Sequence, residues 1–210
     1  RKATTLKYKD GDEPFIEFPS SNTHELLVFT DQRQVYKCKV AQFEDTKSAQ
    51  LGSYLPTDLG MDPDESVIWV IDPEDYKADV LFVFENGRVA RVALAGYVTK
   101  TNRKRLKNAI YGGSKLLFAC VLKEDRDLAL VSSDQRLINF NTSLLKTKTT
   151  NSTQGVQAFT AKNGRIVTMV GTAEEFLGGT ASVEKFRAAS LPSSGSPMKE
   201  TDMKSLFDLE

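Results

Sequence analysis

One strand-turn-strand unit occurs three times in this chain, and the fold has to be a repeat. The central copy is DVLFVFENGRVARVAL, Asp79 to Leu94. The upstream copy is ELLVFTDQRQVYKCKV, Glu25 to Val40, and the downstream copy is DLALVSSDQRLINFNT, Asp127 to Thr142. In the central copy the apolar run Val80 to Phe84 is followed by Glu-Asn-Gly-Arg and then by a second run from Val89. Asn-Gly between two β-rich runs predicts a hairpin closed by a type I′ turn, which needs φ > 0 at both central residues.

Each hairpin is followed by a polar stretch and a further apolar run. Runs of this second kind lie near Phe15, Val67, Leu116 and Ile166, at intervals of 52, 49 and 50 residues. A period near 50 with about four strands per unit is the spacing of propeller-like blades. The expectation is an all-β chain of about four blades of roughly 50 residues. Three hairpins against four closing strands suggests that Ala181 to Ala189 completes the first blade. Residues 1–189 then form one domain and 190–210, opening on the linker-like LPSSGSPMKE, a flexible C-terminal tail. Within that tail Met203, Leu206 and Phe207 could make a short amphipathic turn. The opening RKATTLKYKDGDEP reads as a cut made inside a larger protein.

Charge is balanced in total and uneven in distribution. Of the 210 residues, 28 are Lys or Arg and 28 are Asp or Glu. From Asp58 to Asp75 there are seven acids and no base. From Asp79 to Leu122 there are eight bases against two acids, a net of +6. Those bases are Arg88, Arg91, Lys100, Arg103, Lys104, Arg105, Lys107 and Lys115.

Alternation along the second hairpin strand separates two faces. Tyr36/Cys38/Val40, Ala90/Val92/Leu94 and Ile138/Phe140/Thr142 are mostly apolar and should pack inward. Val35/Lys37/Lys39, Val89/Arg91/Ala93 and Leu137/Asn139/Asn141 turn basic or polar after their first residue, which predicts an outer strand with one wet face. Lys37, Lys39 and Arg91 would then lie on a rim close to Arg103, Lys104, Arg105 and Lys107. A row of cations along an outer edge suits a curved polyanion, because each neutralised phosphate releases condensed counterions. The Arg103–Lys107 cluster equally fits a solvated loop, and the strand cations equally fit charges that discourage edge-to-edge pairing.

The three hairpins, with the half-units QGVQAFTAKNGRIVTMV and TTLKYKDGDEPFIEF, resemble the repeating units of the C-terminal domain of bacterial type IIA topoisomerase A subunits, the group of gyrase A and topoisomerase IV A. The likeness covers residues 3 to about 170. It implies a β-pinwheel, a propeller-like disc whose blades share strands. It also implies sequence-independent duplex DNA binding and bending or wrapping around a basic perimeter, which presents DNA to the catalytic core. Carried onto this chain, the DNA-binding set is Lys37, Lys39, Arg88, Arg91, Lys100, Arg103, Lys104, Arg105, Lys107 and Lys115. The implied partners are duplex DNA, the rest of the A polypeptide and the B subunit of an ATP-dependent enzyme in the bacterial cytoplasm, associated with the nucleoid. The chain itself would be non-catalytic, with no cofactor, no metal, no small-molecule substrate and no membrane partner. The Gln-Arg-Arg-Gly-Gly-Lys-Gly box of the first gyrase blade is absent, so topoisomerase IV-like bending fits better than chiral wrapping.

The remaining features read as structural. Cys38 and Cys120 sit in apolar runs, where a thiol behaves as a small hydrophobe and a reducing compartment suffices. His24 lacks partners at metal-ligand spacing. Ser132 and Ser133 form no nucleophile–base pair with His24 that spacing supports. Gly52 and Gly60 lack the Lys-Ser/Thr ending of a phosphate loop. Trp69 reads as core, and Asp62 to Glu65 as a solvated connector rather than a calcium loop. A propeller-like protein-interaction platform without DNA binding is the alternative, favoured by the zero net charge and the acidic stretch 58–75.

Overall fold

The computed structural model describes residues 13–47, 50–178 and 181–203. The chain falls into two compact units. One runs up to Asp75 and includes Thr99–Ala109; the other joins Tyr76–Val98 to everything from Ile110 onward.

In the first unit, β1 (Glu25–Thr30) and β2 (Val35–Lys39) form the first hairpin, and β3 (Val67–Ile71) adds to its free side. In the second unit, β4 (Asp79–Phe84) and β5 (Arg88–Ala93) form the central hairpin. The chain then returns to the first unit for a two-residue strand, β6 (Arg105–Leu106), before β7 (Leu116–Leu122) pairs with β4. The third hairpin is β8 (Asp127–Ser132) with β9 (Arg136–Asn141). Three strands complete the sheets: β10 (Val156–Gln157), β11 (Val167–Gly171) and β12 (Ser196–Pro197). The strand orders are β3-β1-β2-β6, β10-β5-β4-β7 and β11-β8-β9-β12, all antiparallel.

The described residues thus hold three four-stranded sheets, where about four blades were expected. Residues 15–18 are not a strand; Phe15 is 74% exposed and meets Trp69 edge-on, with ring centroids 5.4 Å apart. Trp69 itself is half-buried on an edge strand, not core. The segment expected to complete the first blade instead makes a short helical turn, Val183–Phe186, on the last sheet. Phe186 enters the apolar cluster of Ala129, Val131, Leu137, Ala173 and Leu177. The linker-like stretch after residue 189 also folds back, because β12 pairs with β9 and Met198 N–H donates to Gln135 O at 2.9 Å. Met203 bridges to Leu177; Leu206 and Phe207 lie outside the described residues.

The hairpins close by a different turn from the type I′ form predicted. The loop of the central hairpin is three residues, Glu85-Asn86-Gly87, and Gly87 alone among them has positive φ (81°). Gly87 N–H donates to Phe84 O at 3.0 Å, the i→i+3 bond of a turn that ends in a left-handed residue. Arg33 (φ 61°) and Gln135 (φ 55°) occupy the same place in the other two hairpins. The register also shifts at one equivalent point per sheet, at Phe29/Thr30, Val83/Phe84 and opposite Val131/Ser132. The repetition extends to the bulges that set local twist.

The face predicted to be inward is inward: Tyr36 and Cys38 pack with Val28 under Phe43, Leu59 and Met61, and Ile138 and Phe140 join Leu81, Val83 and Phe159 between the two sheets of the second unit. A fully buried apolar side chain such as Val28, Ile138 or Phe140 contributes about 1.5–3 kcal/mol. The face predicted to be wet is largely covered as well. Val35, Val89 and Leu137 are buried, as are Lys37 and Asn139. Val89 is covered by the other sheet of its unit, and Leu137 by Ala173, Leu177 and Phe186. β2, β5 and β9 are also not outer strands, because β6, β10 and β12 each add one more strand beyond them.

Candidate nucleic-acid interface

The basic segment of the first unit is held as the outer edge of its sheet. β6 pairs Leu106 with Val35 and Arg105 with Tyr36. Lys37 N–H donates to Lys104 O at 2.8 Å, and Ala109 N–H donates to Arg33 O at 3.0 Å. Lys37 Nζ also reaches Thr99 Oγ1 at 3.4 Å. Both ends of the stretch Thr99–Lys104 therefore meet Lys37, and Lys100 and Arg103 lie on the loop between them. Lys100, Arg103, Lys104 and Lys107 are exposed, and none has an acidic partner among the described residues. Lys39, the last residue of β2, is exposed as well.

Two cations expected in this set are differently placed. Lys37 is buried, 8% exposed, and pairs with Glu25 Oε1 at 3.2 Å. Arg105 is half-buried and fastened on several sides. Its Nε donates to Gln34 Oε1, a terminal nitrogen lies 2.6 Å from Asp62 Oδ2, and its guanidinium stands 5.5 Å from the Tyr36 ring centre. Burial pulls the Arg105 pKa down, but the Asp62 hydrogen bond and nearby negative charge outweigh it and leave it raised.

Glu65 lies beneath this cluster, 5% exposed. It accepts hydrogen bonds from Thr30 Oγ1, from Tyr36 OH at 2.7 Å and from the Asp62 amide at 3.2 Å. Burial and then the Glu65 hydrogen bond push the Tyr36 phenol up to about 12. Asp62 to Glu65 is thus a solvated connector only in part: Asp62 and Asp64 are exposed, and Glu65 is buried. Burying Glu65 requires these donors, and the turn that supplies the Asp62 amide also brings the Asp62 carboxylate to Arg105.

In the second unit, Arg91 on β5 is closed between two acids, with Nε 2.6 Å from Asp79 Oδ2 and a terminal nitrogen 2.7 Å from Asp125 Oδ1. The same guanidinium donates to Thr142 O at 3.2 Å. Burial lowers its pKa, the two carboxylates raise it further, and the hydrogen bond from Arg91 holds Asp125 low. Arg88 is half-buried and opens β5 opposite Gln157. Lys115 is exposed, and its carbonyl accepts from the Glu85 amide at 2.9 Å.

A pattern recurs where the hairpins begin. Glu25 meets Lys37, Asp79 meets Arg91, and Asp127 has Asn139 in the corresponding position. The missing cation comes from the 183–187 segment, whose Arg187 lies 3.2 Å from Asp127. Lys37 and Arg91 are therefore sheet-entry ion pairs. Sequence reading passed over two exposed cations, Lys146 and Lys148, on the outer side of β5, where Lys148 N–H donates to Arg91 O at 2.8 Å. The signal was the run Lys-Thr-Lys-Thr, 146–149.

Other candidates have structural roles. His24 Nδ1 lies 2.8 Å from Asp72 Oδ2, which also accepts from Ser20 Oγ at 2.6 Å. Burial raises the Asp72 pKa, but these hydrogen bonds outweigh it and leave the carboxyl low. Burial pushes the Cys38 thiol up to about 11 and raises that of Cys120. Among the described residues no group of His, Cys, Asp and Glu could hold a metal ion, and no helix is long and apolar enough to cross a membrane.

Comparison with known proteins agrees with the fold. No protein-family model matches the chain. The A subunit of DNA topoisomerase 4 from Staphylococcus aureus (strain MRSA252) is 23% identical over 141 residues, 65% of this chain and 18% of that protein. The chain therefore spans less than a fifth of the length of this relative. A crystal structure of the C-terminal domain of DNA topoisomerase IV superposes with a TM-score of 0.68 at 20% identity, covering 87% of this chain and 62% of that one. The E. coli ParC C-terminal domain gives 0.68 at 13% identity, covering 94% and 85%. The DNA gyrase A C-terminal domain gives 0.59 at 16% identity, covering 95% and 69%. The chain has the all-β fold of these domains and is similar in sequence to a topoisomerase IV A subunit.

Proposed function

We propose that this chain is a DNA-binding accessory domain of a type IIA topoisomerase A subunit, built as a β-pinwheel whose sheets borrow their outer strands from downstream sequence. It binds duplex DNA without reading bases, bends it, and hands it to a catalytic core that lies elsewhere in an ATP-dependent enzyme with a B subunit. The chain carries out no chemistry of its own. Its place is the bacterial cytoplasm, at the nucleoid.

The observation that carries this reading is the cluster Lys100, Arg103, Lys104 and Lys107: exposed, unmatched by acids among the described residues and held on a sheet edge. Cations in that state can neutralise phosphates and release counterions, whereas Lys37, Arg91 and Arg105 are already matched. Lys39 is a secondary phosphate contact of the same unit; Arg88, Lys115, Lys146 and Lys148 play that part on the second unit. The likeness to topoisomerase IV and gyrase A C-terminal domains supplies the biological setting.

A second reading is a protein-interaction platform. Its support is the segment 50–64, which includes the helical turn Leu55–Asp58 and where Leu51 is 84% and Tyr54 70% exposed beside Asp58, Asp62 and Asp64. One experiment separates the two. A linear duplex carrying donor and acceptor dyes at its ends is titrated with this chain across a salt series. Steeply salt-dependent binding with the ends drawn together is expected. Binding without approach of the ends removes bending, and no binding at low salt makes the interaction platform the better reading.

A further inference from the structure

We infer that Arg105 is a positioning residue that keeps the basic edge strand in register, and not itself a contact to phosphate. The inference rests on the DNA-binding reading of the Lys100–Lys107 segment.

A two-residue strand has little backbone pairing with which to fix its register, and a slip of one residue moves every side chain to the other face. β6 is such a strand, with only Leu106 and Arg105 in the ladder. Its side-chain fastening is concentrated in Arg105. The planar fork spans Gln34 on one side and Asp62 on the other, above the Tyr36 ring. Gln34 is 6% exposed and Tyr36 2% exposed, so two of the three holding groups belong to the packed sheet. The third, Asp62, is tied by its amide to buried Glu65. A guanidinium satisfies all three at once through its flat shape and divergent donors, which a lysine ammonium does not reproduce. Arg103, Lys104 and Lys107 flank this anchor and remain free of acids among the described residues.

The test uses the full chain with Asp62→Asn, Asp64→Asn and Arg105→Lys. Asp64 is an exposed neighbour of the same charge, and the carboxylate that Arg105 meets is that of Asp62. Two readouts are taken: hydrogen exchange at the Lys37 amide, which donates to Lys104 O, and the salt dependence of binding to a linear duplex. Asp62→Asn and Arg105→Lys are each expected to lose about tenfold of Lys37 amide protection while the β4–β7 ladder keeps its own. The salt slope is expected to fall by up to about 2.7, the share of three phosphate contacts, although neither variant removes a positive charge. Asp64→Asn is expected to leave both readouts unchanged. Equal salt slopes for Asp62→Asn and Asp64→Asn, or an unchanged slope for Arg105→Lys, overturn the inference. If the wild-type chain binds no DNA at low salt, the DNA-binding reading fails, and with it only the claim that the held strand presents phosphate contacts. The Lys37 amide then still reports whether Arg105 holds the strand.

Discussion

Arg105 and Asp62 stand 2.6 Å apart, 43 residues distant in sequence, one from the basic run of the chain and the other from its acidic run. The two charge blocks are partners at this point. The acidic stretch matches the one arginine of β6 that packs against the sheet and leaves its neighbours on the edge unmatched. That division separates cations that hold the fold from cations available to a ligand, and it underlies the first two predictions.

Replacing Arg103, Lys104 and Lys107 together by Glu removes exposed charge without touching a described ion pair. The thermal midpoint should stay within a few degrees of wild type. DNA affinity should fall steeply, and the salt slope should flatten by about 2.7 for three lost phosphate contacts. Fluorescence anisotropy with a duplex at several salt concentrations measures both. An unchanged slope would remove the segment from the site.

Arg91→Gln should do the reverse. It strips Asp79, Asp125 and the Thr142 carbonyl of their shared donor, so stability should drop by about 1.5–3 kcal/mol. The salt slope of DNA binding should not move. Urea unfolding and a DNA titration of the same preparation check the two halves. A flattened slope with unchanged stability would return Arg91 to the DNA site.

Gly87→Ala should destabilise the central sheet. Gly87 has φ 81°, and a Cβ there would overlap the Phe159 carbonyl oxygen. That carbonyl belongs to the segment just after β10, whose Ala158 and Phe159 amides both donate to Gly87 O. The strained backbone alone costs about 1–3 kcal/mol, and the clash adds to it. A urea midpoint equal to wild type would show that the 158–159 segment yields.

Stability should fall between pH 10 and 12 because of Tyr36. Its phenol is raised to about 12 in the folded chain by burial and by Glu65. The unfolded chain loses that proton near pH 10, so it binds fewer protons than the folded chain across this window. The contribution is fully present below pH 10 and disappears as pH rises, by about 3 kcal/mol at most. Tyr36→Phe should flatten this limb of the pH–stability curve. An equal alkaline loss in wild type and variant would refute the assignment.

How much of this was legible beforehand differs from element to element. The three hairpins, their strand limits and their inward faces follow from alternation and turn residues, because a strand's side-chain period of two is a local property. The 50-residue spacing and the balance of charge were likewise written along the chain. The turn type was misjudged because Asn-Gly also suits a three-residue loop, in which only the last residue needs positive φ. Arg33 and Gln135 at the same place carried that information. The outer strands β6, β10 and β12 have two residues each, too short for any period to show.

What tertiary structure alone decided is which cations are free. Lys37, Arg91 and Arg105 look no different in sequence from Lys104 or Lys107. They differ in what comes to meet them: Glu25, Asp79 with Asp125, and Asp62 with Gln34. Sequence determined that these strands form and which side of each is apolar, since both depend on near neighbours in the chain. Whether a charge on the other side stays exposed depends on a strand or carboxylate arriving from up to 71 residues away, and no local pattern encodes that meeting.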